Sequence, residues 1–321
     1  MAALGSTIDD VRVVQFAQNV FHLSQQKTSR LFPYMKIKRF KGKSLFMDRM
    51  GTTEMIEKTA RNQRVIEQDA PWSRRRLTVR PYTWSKYVDT YDKLQNIHNP
   101  EDEYSKAAMY AGARRIDYSA LEAIGGTAYA GEEGSTAVPL PNTQKIAASD
   151  YSTTGTAVGG LTIDTLIEIR EKLWAAEAIM DEGMVLPFVT RAKEIANLLR
   201  TTKVQSADYN TVKALVNGEV STFMGFRFIR LEFLPQIGTG NVASYANVRN
   251  PGGGAATGFS ATNRKNYVFV PEAVCLGLNE KTGATVDRIP EATNSILVQT
   301  GLVTGGTRLE EVKVLEIVTT N

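Results

Sequence analysis

The stretch from Asn99 to Gly126, NPEDEYSKAAMYAGARRIDYSALEAIGG, predicts one long helix with unusually small side chains. Pro100 suits the first helical turn, and the acidic residues after it lie where the helix dipole favours negative charge. The pair Gly125–Gly126 predicts the end of the helix. Between these ends, apolar residues recur at steps of three and four and predict an apolar stripe of Met109, Ala113, Ile116, Ala120 and Ile124.

The small side chains in this helix favour unusually close packing. Residues such as Ala108, Ala111 and Gly112 leave room for another backbone, so we expect a sheet to lie across the helix. Considered alone, the stretch also fits an ordinary amphipathic helix of a soluble enzyme.

Upstream of the helix, residues 41–82 predict a long hairpin. Apolar and polar residues alternate in KSLFMDRM (43–50) and again in RRRLTVRPYTW (74–84), as in amphipathic strands. The polar connection between them is too long for a tight turn. Three consecutive arginines at 74–76 are not expected in a core, so we expect the hairpin to be exposed in one copy and covered by a partner.

The rest of the chain predicts an extended arm at one end and a compact α/β region at the other. After the long helix, a loop rich in small residues precedes a helix over 163–180, a buried strand over 184–189 and another helix. The stretch Phe226–Phe233 shifts its apolar phase, which predicts a β-bulge. The segment RLEEVKVLEIVTT (308–320) predicts a strand that returns to the first domain.

The composition offers little for catalysis or metal binding. The 321 residues contain one cysteine, Cys275, in an apolar run that predicts a buried thiol, and only two histidines, His22 and His98. We interpret the adjacent acids Glu310 and Glu311 as solvated. The sequence has neither a catalytic motif nor an apolar run long enough for a membrane helix, so we expect no enzyme activity, cofactor, metal or membrane association.

The charge is unevenly distributed along the chain. Residues 1–100 hold 18 Lys and Arg against 9 Asp and Glu, a balance of +9, so the remaining residues carry −5 of the total of +4. Such a division is typical of a nucleic-acid surface, or of a protein in which one part of each copy binds the complementary part of another.

The order of these elements resembles the major capsid proteins of tailed bacteriophages. Three stretches resemble the capsid proteins of short-tailed phages most clearly. They are FAQNVFHLSQQKTSRLFPYMKIKRFKGKSLFMDRMG (16–51), SADYNTVKALVNGEVSTFMGFRFIRLEFLP (206–235) and RLEEVKVLEI (308–317). The resemblance implies an α+β fold with the following divisions: an N-arm (1–38), an extended hairpin loop (39–82), a peripheral domain with a long spine helix (83–182), an α/β axial domain (183–300) and a return strand to the peripheral domain (301–321).

The resemblance also implies a function in assembly. Copies would join as hexamers and pentamers into an icosahedral shell around double-stranded DNA, in a virion assembled in the host cytoplasm. Partners would be other copies, a separately encoded scaffolding protein, a portal protein and a decoration protein, with non-specific contact to the packaged DNA. We expect contacts between subunits from basic residues of the arm and hairpin: Lys36, Lys38, Arg39, Arg49, Arg61, Arg64, Arg74, Arg75 and Arg76.

Two other functions remain open at this stage. An encapsulin-like nanocompartment would share the fold but hold a protein cargo. A non-specific nucleic-acid-binding protein would use the interleaved basic and aromatic residues around Lys36 and Lys38 to follow a phosphate backbone.

Overall fold

The computed structural model describes residues 25–61, 63–64, 67–89, 100–147, 160–179, 183–200, 222–234, 263–279, 284–289 and 295–320. The first 24 residues of the predicted arm lie outside this part of the chain. The described helices are α1 (Pro100–Gly125), α2 (Ile163–Ala175) and α3 (Ala192–Arg200). The described strands are β1 (Lys36–Arg39), β2 (Ser44–Met50), β3 (Trp72–Thr78), β4 (Arg80–Val88), β5 (Ala128–Ala130), β6 (Thr136–Val138), β7 (Lys145–Ala147), β8 (Leu186–Thr190), β9 (Thr222–Phe223), β10 (Phe226–Arg230), β11 (Asn263–Phe269), β12 (Val274–Leu278), β13 (Ala284–Ile289), β14 (Ser295–Arg308) and β15 (Val314–Thr320).

These strands form three sheets. One has four strands in the order β2-β3-β5-β6 and contains the hairpin. A second is built on the long strand β14, which pairs with β4 on one edge and with β12 and β13 on the other, while β1 adds to β12 in parallel. The third has six strands in the order β7-β15-β11-β8-β10-β9. None of the described helices is long and apolar enough to cross a membrane.

Helix α1 matches the predicted spine helix and lies across β14, as its small residues predicted. Its fully buried residues are mostly in the C-terminal half, where Ala120, Leu121 and Ile124 have no exposed surface, and in the N-terminal half Ala108, next to Met109, is also fully buried. The expected stripe is wrong at Met109, whose side chain is 65% exposed. The reason is that close contact with the sheet is made by the small residues further along the helix: a Cβ added at Gly306 of β14 would lie 2.5 Å from the Cβ of Ala123.

The predicted hairpin is present, with a shorter returning limb. Strands β2 and β3 pair antiparallel from Ser44 opposite Thr78 to Met50 opposite Trp72. The expected continuation of this limb to residue 82 is wrong, because the chain changes sheet at the buried Val79 and continues as β4, which pairs with β14.

The six-stranded sheet departs from the sequence predictions at β10. Strand β10 pairs with β8 in continuous parallel register, so the predicted bulge is absent from this pairing. The apolar phase shifts because Phe228 and Ile229, on opposite faces of the strand, are both buried. The C-terminal strand β15 pairs with β7, from the segment predicted as the peripheral domain, and with β11, from the segment predicted as the axial domain.

Other local predictions are confirmed, although the helix predicted over 163–180 ends at Ala175, because Ala176 leaves the helical conformation as its C-cap. Helix α2 begins after Thr162, whose hydroxyl accepts a hydrogen bond from the Thr165 amide, and it buries Leu166, Ile169 and Leu173. Cys275 is fully buried on β12, and burial raises the pKa of its thiol to about 11, so the thiol is neutral at physiological pH.

We predict that Gly306→Ala destabilises the subunit, because the new methyl group collides with Ala123 where the sheet meets α1. The free energy of unfolding should fall by about 1–3 kcal/mol, measured by urea denaturation of unassembled subunits. The matched control on the same strand is Gly301→Ala, since a Cβ at Gly301 would have nothing within 4 Å. Equal stability of the two variants would contradict this account of the packing.

Candidate interface on the hairpin and its ionic anchor

The hairpin has one exposed face, set by the alternation of its strands. Cross-strand pairs place Phe46 opposite Arg76, Asp48 opposite Arg74, and Met50 opposite Trp72 on this face, and Tyr129 of β5 extends it beyond Arg76. We call these seven residues the outer hairpin face. Its apolar side chains are unusually accessible: Trp72 is 71% exposed, Met50 60%, Tyr129 42% and Phe46 39%. An exposed apolar surface of this kind is typical of a contact with another molecule.

The two arginines of the outer hairpin face are held in place by neighbours on the same face. The Arg74 Nε lies 2.6 Å from Asp48 Oδ1, and this hydrogen bond holds the pKa of Asp48 below its ordinary value. The Arg74 guanidinium also lies 5.6 Å from the centre of the Phe46 ring, and that of Arg76 lies 5.5 Å from the centre of the Tyr129 ring. The face therefore presents ordered cations between aromatic rings.

The opposite face of the hairpin is anchored on one carboxylate. Arg75 is 2% exposed, and its Nη2 lies 2.6 Å from Glu311 Oε1. Arg49 Nη1 lies 3.5 Å from Glu311 Oε2, and Arg308 Nε lies 3.7 Å from Oε1. We call Arg49, Arg75, Arg308 and Glu311 the Glu311 cluster. It joins both limbs of the hairpin to the turn that follows β14.

The Glu311 cluster also reaches the end of the spine helix. Arg308 is fully buried; its Nη1 donates to the carbonyl oxygens of Ile124 and Gly126 at 2.9 and 2.8 Å, and its Nη2 donates to that of Val138 at 3.1 Å. A cation is favourable at this position because the last carbonyls of a helix carry partial negative charge. One buried arginine therefore caps α1 and contacts the carboxylate that holds the hairpin.

These contacts correct two sequence interpretations. The expectation that all three consecutive arginines are exposed is wrong for Arg75, because strand alternation turns it inward, away from Arg74 and Arg76. The solvated interpretation of Glu311 is also wrong: its side chain is only 14% exposed and is surrounded by guanidinium groups. Glu310 points away from the cluster and pairs with Lys313 at 2.8 Å.

The other predicted contact residues lie at two exposed places. Lys36, Lys38 and Arg39 are exposed on β1, the edge strand beside β12. Arg61 and Arg64 are exposed in the connection between β2 and β3, where every residue from 51 to 61 is exposed. The structure thus separates the predicted residues into an edge strand, a hairpin tip, the outer hairpin face and the Glu311 cluster.

A second buried carboxylate, missed in the sequence, fixes the root of the arm. Asp117 of α1 is fully buried. It accepts hydrogen bonds from the Ser29 hydroxyl at 2.5 Å and from the backbone amides of Arg30 and Leu31 at 3.0 and 3.1 Å. Gln26 also donates to it. The sequence around Asp117 gave no sign of these partners, which lie more than 80 residues away.

Comparisons with known proteins identify the type of molecule. Residues 8–321 match the family model described as phage capsid protein. This chain belongs to the phage capsid protein family. No significant match was found among curated protein sequences. The match to the family confirms the predicted structural, non-enzymatic role, and the chain is a capsid protein, a subunit of the virion shell.

Solved capsid structures confirm the predicted α+β capsid fold. The capsid of cyanophage P-SCSP1u is 14% identical with a TM-score of 0.71, covering 98% of this chain and 94% of that one. The cyanophage Pam1 capsid is 13% identical with a TM-score of 0.69, covering 100% and 99%. The mature capsid of bacteriophage PhiM1 is 14% identical with a TM-score of 0.65, covering 99% and 96%.

We predict that Glu311→Gln destabilises the subunit strongly. Removing the only carboxylate of the cluster leaves the buried Arg75 and Arg308 without their counter-charge, which should cost about 3 kcal/mol. The adjacent Glu310→Gln is the matched control, because Glu310 is 45% exposed and its pair should be worth less than about 1 kcal/mol. Urea denaturation of both variants measures the difference, and a Glu310→Gln effect as large as that of Glu311→Gln would contradict the assignment.

We predict that Asp117→Ala releases the root of the arm. The amides of Arg30 and Leu31 lose their acceptor, and each loss should cost about 1–3 kcal/mol locally. Trypsin cleavage after Lys27 or Arg30 should become at least about tenfold faster than in the wild type, as measured by mass spectrometry of timed digests. Asp287→Ala, at an exposed position on β13, should leave the cleavage rate unchanged; similar acceleration in both variants would count against Asp117 as the anchor.

Proposed function

We propose that the outer hairpin face is the surface through which each copy of this capsid protein binds a neighbouring copy. The observation that carries the proposal is the concentration of accessible aromatic and apolar side chains, with two ordered arginines, on one face of a hairpin whose other face is fixed by the Glu311 cluster. A rigid surface loses little conformational entropy on binding, and exposed aromatic residues with arginine are typical of interface hot spots.

The charge division supports the same arrangement. The basic first hundred residues of one copy would meet the mildly acidic remainder of the next, which favours correct pairing and rapid association. The proposed contacts between subunits include the basic residues of the edge strand, hairpin tip and outer face: Lys36, Lys38, Arg39, Arg61, Arg64, Arg74 and Arg76. Arg49, which belongs to the Glu311 cluster, is proposed as a further contact at the edge of that cluster. Arg75 would contribute indirectly, because its ion pair with Glu311 fixes the strand that carries the outer hairpin face.

In this proposal, copies assemble as hexamers and pentamers into an icosahedral shell around double-stranded DNA, in the host cytoplasm. A separate scaffolding protein would guide assembly, a portal protein would occupy one vertex, and a decoration protein would bind the finished shell. The proposed division into arm, hairpin, peripheral domain and axial domain keeps the predicted boundaries except at the hairpin, whose paired limbs end at Thr78, and β15 contributes to the six-stranded sheet.

We predict that Trp72→Ala with Met50→Ala reduces the yield of closed shells at least about tenfold, because both side chains would be buried against a neighbour. The protein would be expressed with the scaffolding protein of the same phage, and particles would be counted by negative-stain electron microscopy after sedimentation. The free energy of unfolding of the subunit should change by less than about 0.5 kcal/mol, since both residues are exposed.

The matched control is Trp174→Ala with Ile167→Ala, an exposed pair of similar size on α2. This variant should assemble like the wild type. Normal shells from the hairpin variant would contradict the proposed interface, and so would equal losses in the two variants. A subunit that forms neither shells nor capsomer rings under any condition would contradict the assembly function itself.

A further inference from the structure

A basic cleft lies where the arm root crosses the six-stranded sheet. Its volume is about 780 Å³, and it lies between residues 29–34 on one side and β10 with the α3 N-terminus on the other. Its charged lining consists of Arg30, Arg227, Arg230 and Glu232. We call it the arm-root cleft.

Two of the three arginines in the arm-root cleft contact neutral groups. Arg30 donates to the backbone carbonyl of Arg230. The Arg227 Nη1 lies 3.5 Å from the Tyr34 hydroxyl, and its guanidinium lies 5.9 Å from the centre of the Tyr34 ring. Among the described residues, none of the three guanidinium groups forms an ion pair, and all three residues are exposed. Their charges are therefore available to a ligand.

The two nearby carboxylates are already engaged elsewhere. Glu232 Oε1 accepts a hydrogen bond from the Ala192 amide at 3.0 Å, at the first turn of α3. Asp117 is fully buried beneath the arm root and bonded to it. The positive charge also continues along the arm: Lys27 is exposed, and Arg114 of α1 bonds to Gln25 at 2.8 Å. The arm root and the facing part of α1 thus carry further positive charge at Lys27 and Arg114.

The lining favours an anion over an apolar partner. The side chains of Phe228 and Ile229 are 9% and 6% exposed, so the β10 wall of the cleft offers little apolar surface of the kind that anchors a protein partner, and the accessible apolar surface is on the arm side, at Pro33 and Tyr34. Arginine guanidinium groups match the geometry of phosphate oxygens and bind them in pairs. Backbone phosphate contacts of this kind carry no sequence information.

We propose that the arm-root cleft binds the phosphate backbone of double-stranded DNA, without sequence preference, through Arg30, Arg227 and Arg230. This inference rests on the proposed function, in which the shell encloses DNA, and it assigns the arm-root side of the subunit to the DNA. Asp117 would then fix the arm root, and the DNA would lie against the arginines beside the arm root.

The test measures binding of a fluorescein-labelled 30-base-pair duplex to unassembled subunits by fluorescence anisotropy over a range of NaCl concentrations. Arg227→Gln with Arg230→Gln should weaken binding at least about fivefold, and the slope of log K against log salt should become shallower by about 1.8, which is 0.9 for each lost phosphate contact. Lys86→Gln with Arg288→Gln removes the same charge from exposed positions on β4 and β13 and should change binding less than about twofold.

Equal binding by the two double variants, or binding unchanged from wild type, would overturn the proposal. So would a variant that binds the duplex normally but no longer binds an acidic scaffolding protein, since the cleft would then take an acidic polypeptide.

Arginine modification by phenylglyoxal in the wild type provides a check that does not depend on folding of a variant. The duplex should protect Arg227 and Arg230 from modification, and the absence of protection would overturn the proposal. Electron microscopy of the same variants reports shell formation separately, so failure of the DNA site and failure of the assembly function give different results.

Discussion

The carboxylate of Glu311 joins three parts of the chain that are far apart in sequence. Three arginines surround it, so the Glu311 cluster carries an excess of positive charge in a largely buried place. That excess is tolerable because Arg308 directs its other nitrogens at the carbonyl oxygens that end α1, where the helix dipole supplies partial negative charge. The orientation of the hairpin and the end of the spine helix therefore depend on the same group.

Strand alternation places the three consecutive arginines on opposite faces of the hairpin, where they have different roles. Arg75 points inward and fixes the hairpin base, whereas Arg74 and Arg76 point outward beside aromatic rings. A rigid base matters for a surface that must match a neighbour, because order present before binding lowers the entropic cost of association. Stability of the subunit and presentation of its contact surface are thus linked through residues 74–76.

The sequence predicted the elements that local patterns determine and missed the contacts between distant residues. Helix α1 and strands β2 and β3 follow from periodicity, and their order allowed the capsid fold to be identified. Glu311 gave no local signal, because its partner Arg75 is 236 residues away. Met109 was assigned to the buried stripe because periodicity shows that a helix has an apolar face but does not show which part of that face meets a sheet. The partner strands of β15 are also distant in sequence, so the alternation within the strand could not show which strands it pairs with.

The arm root and the hairpin are both anchored at the spine helix. Asp117 binds the arm root at the middle of the helix, and Arg308 binds the end of the helix beside the hairpin anchor. Both anchors use carboxylates withdrawn from solvent, the fully buried Asp117 and the largely buried Glu311. At the hairpin the outward Arg74 is paired with Asp48, whereas at the arm root Arg30, Arg227 and Arg230 form no ion pair among the described residues. Positive charge is therefore concentrated at the arm root although the net charge is only +4.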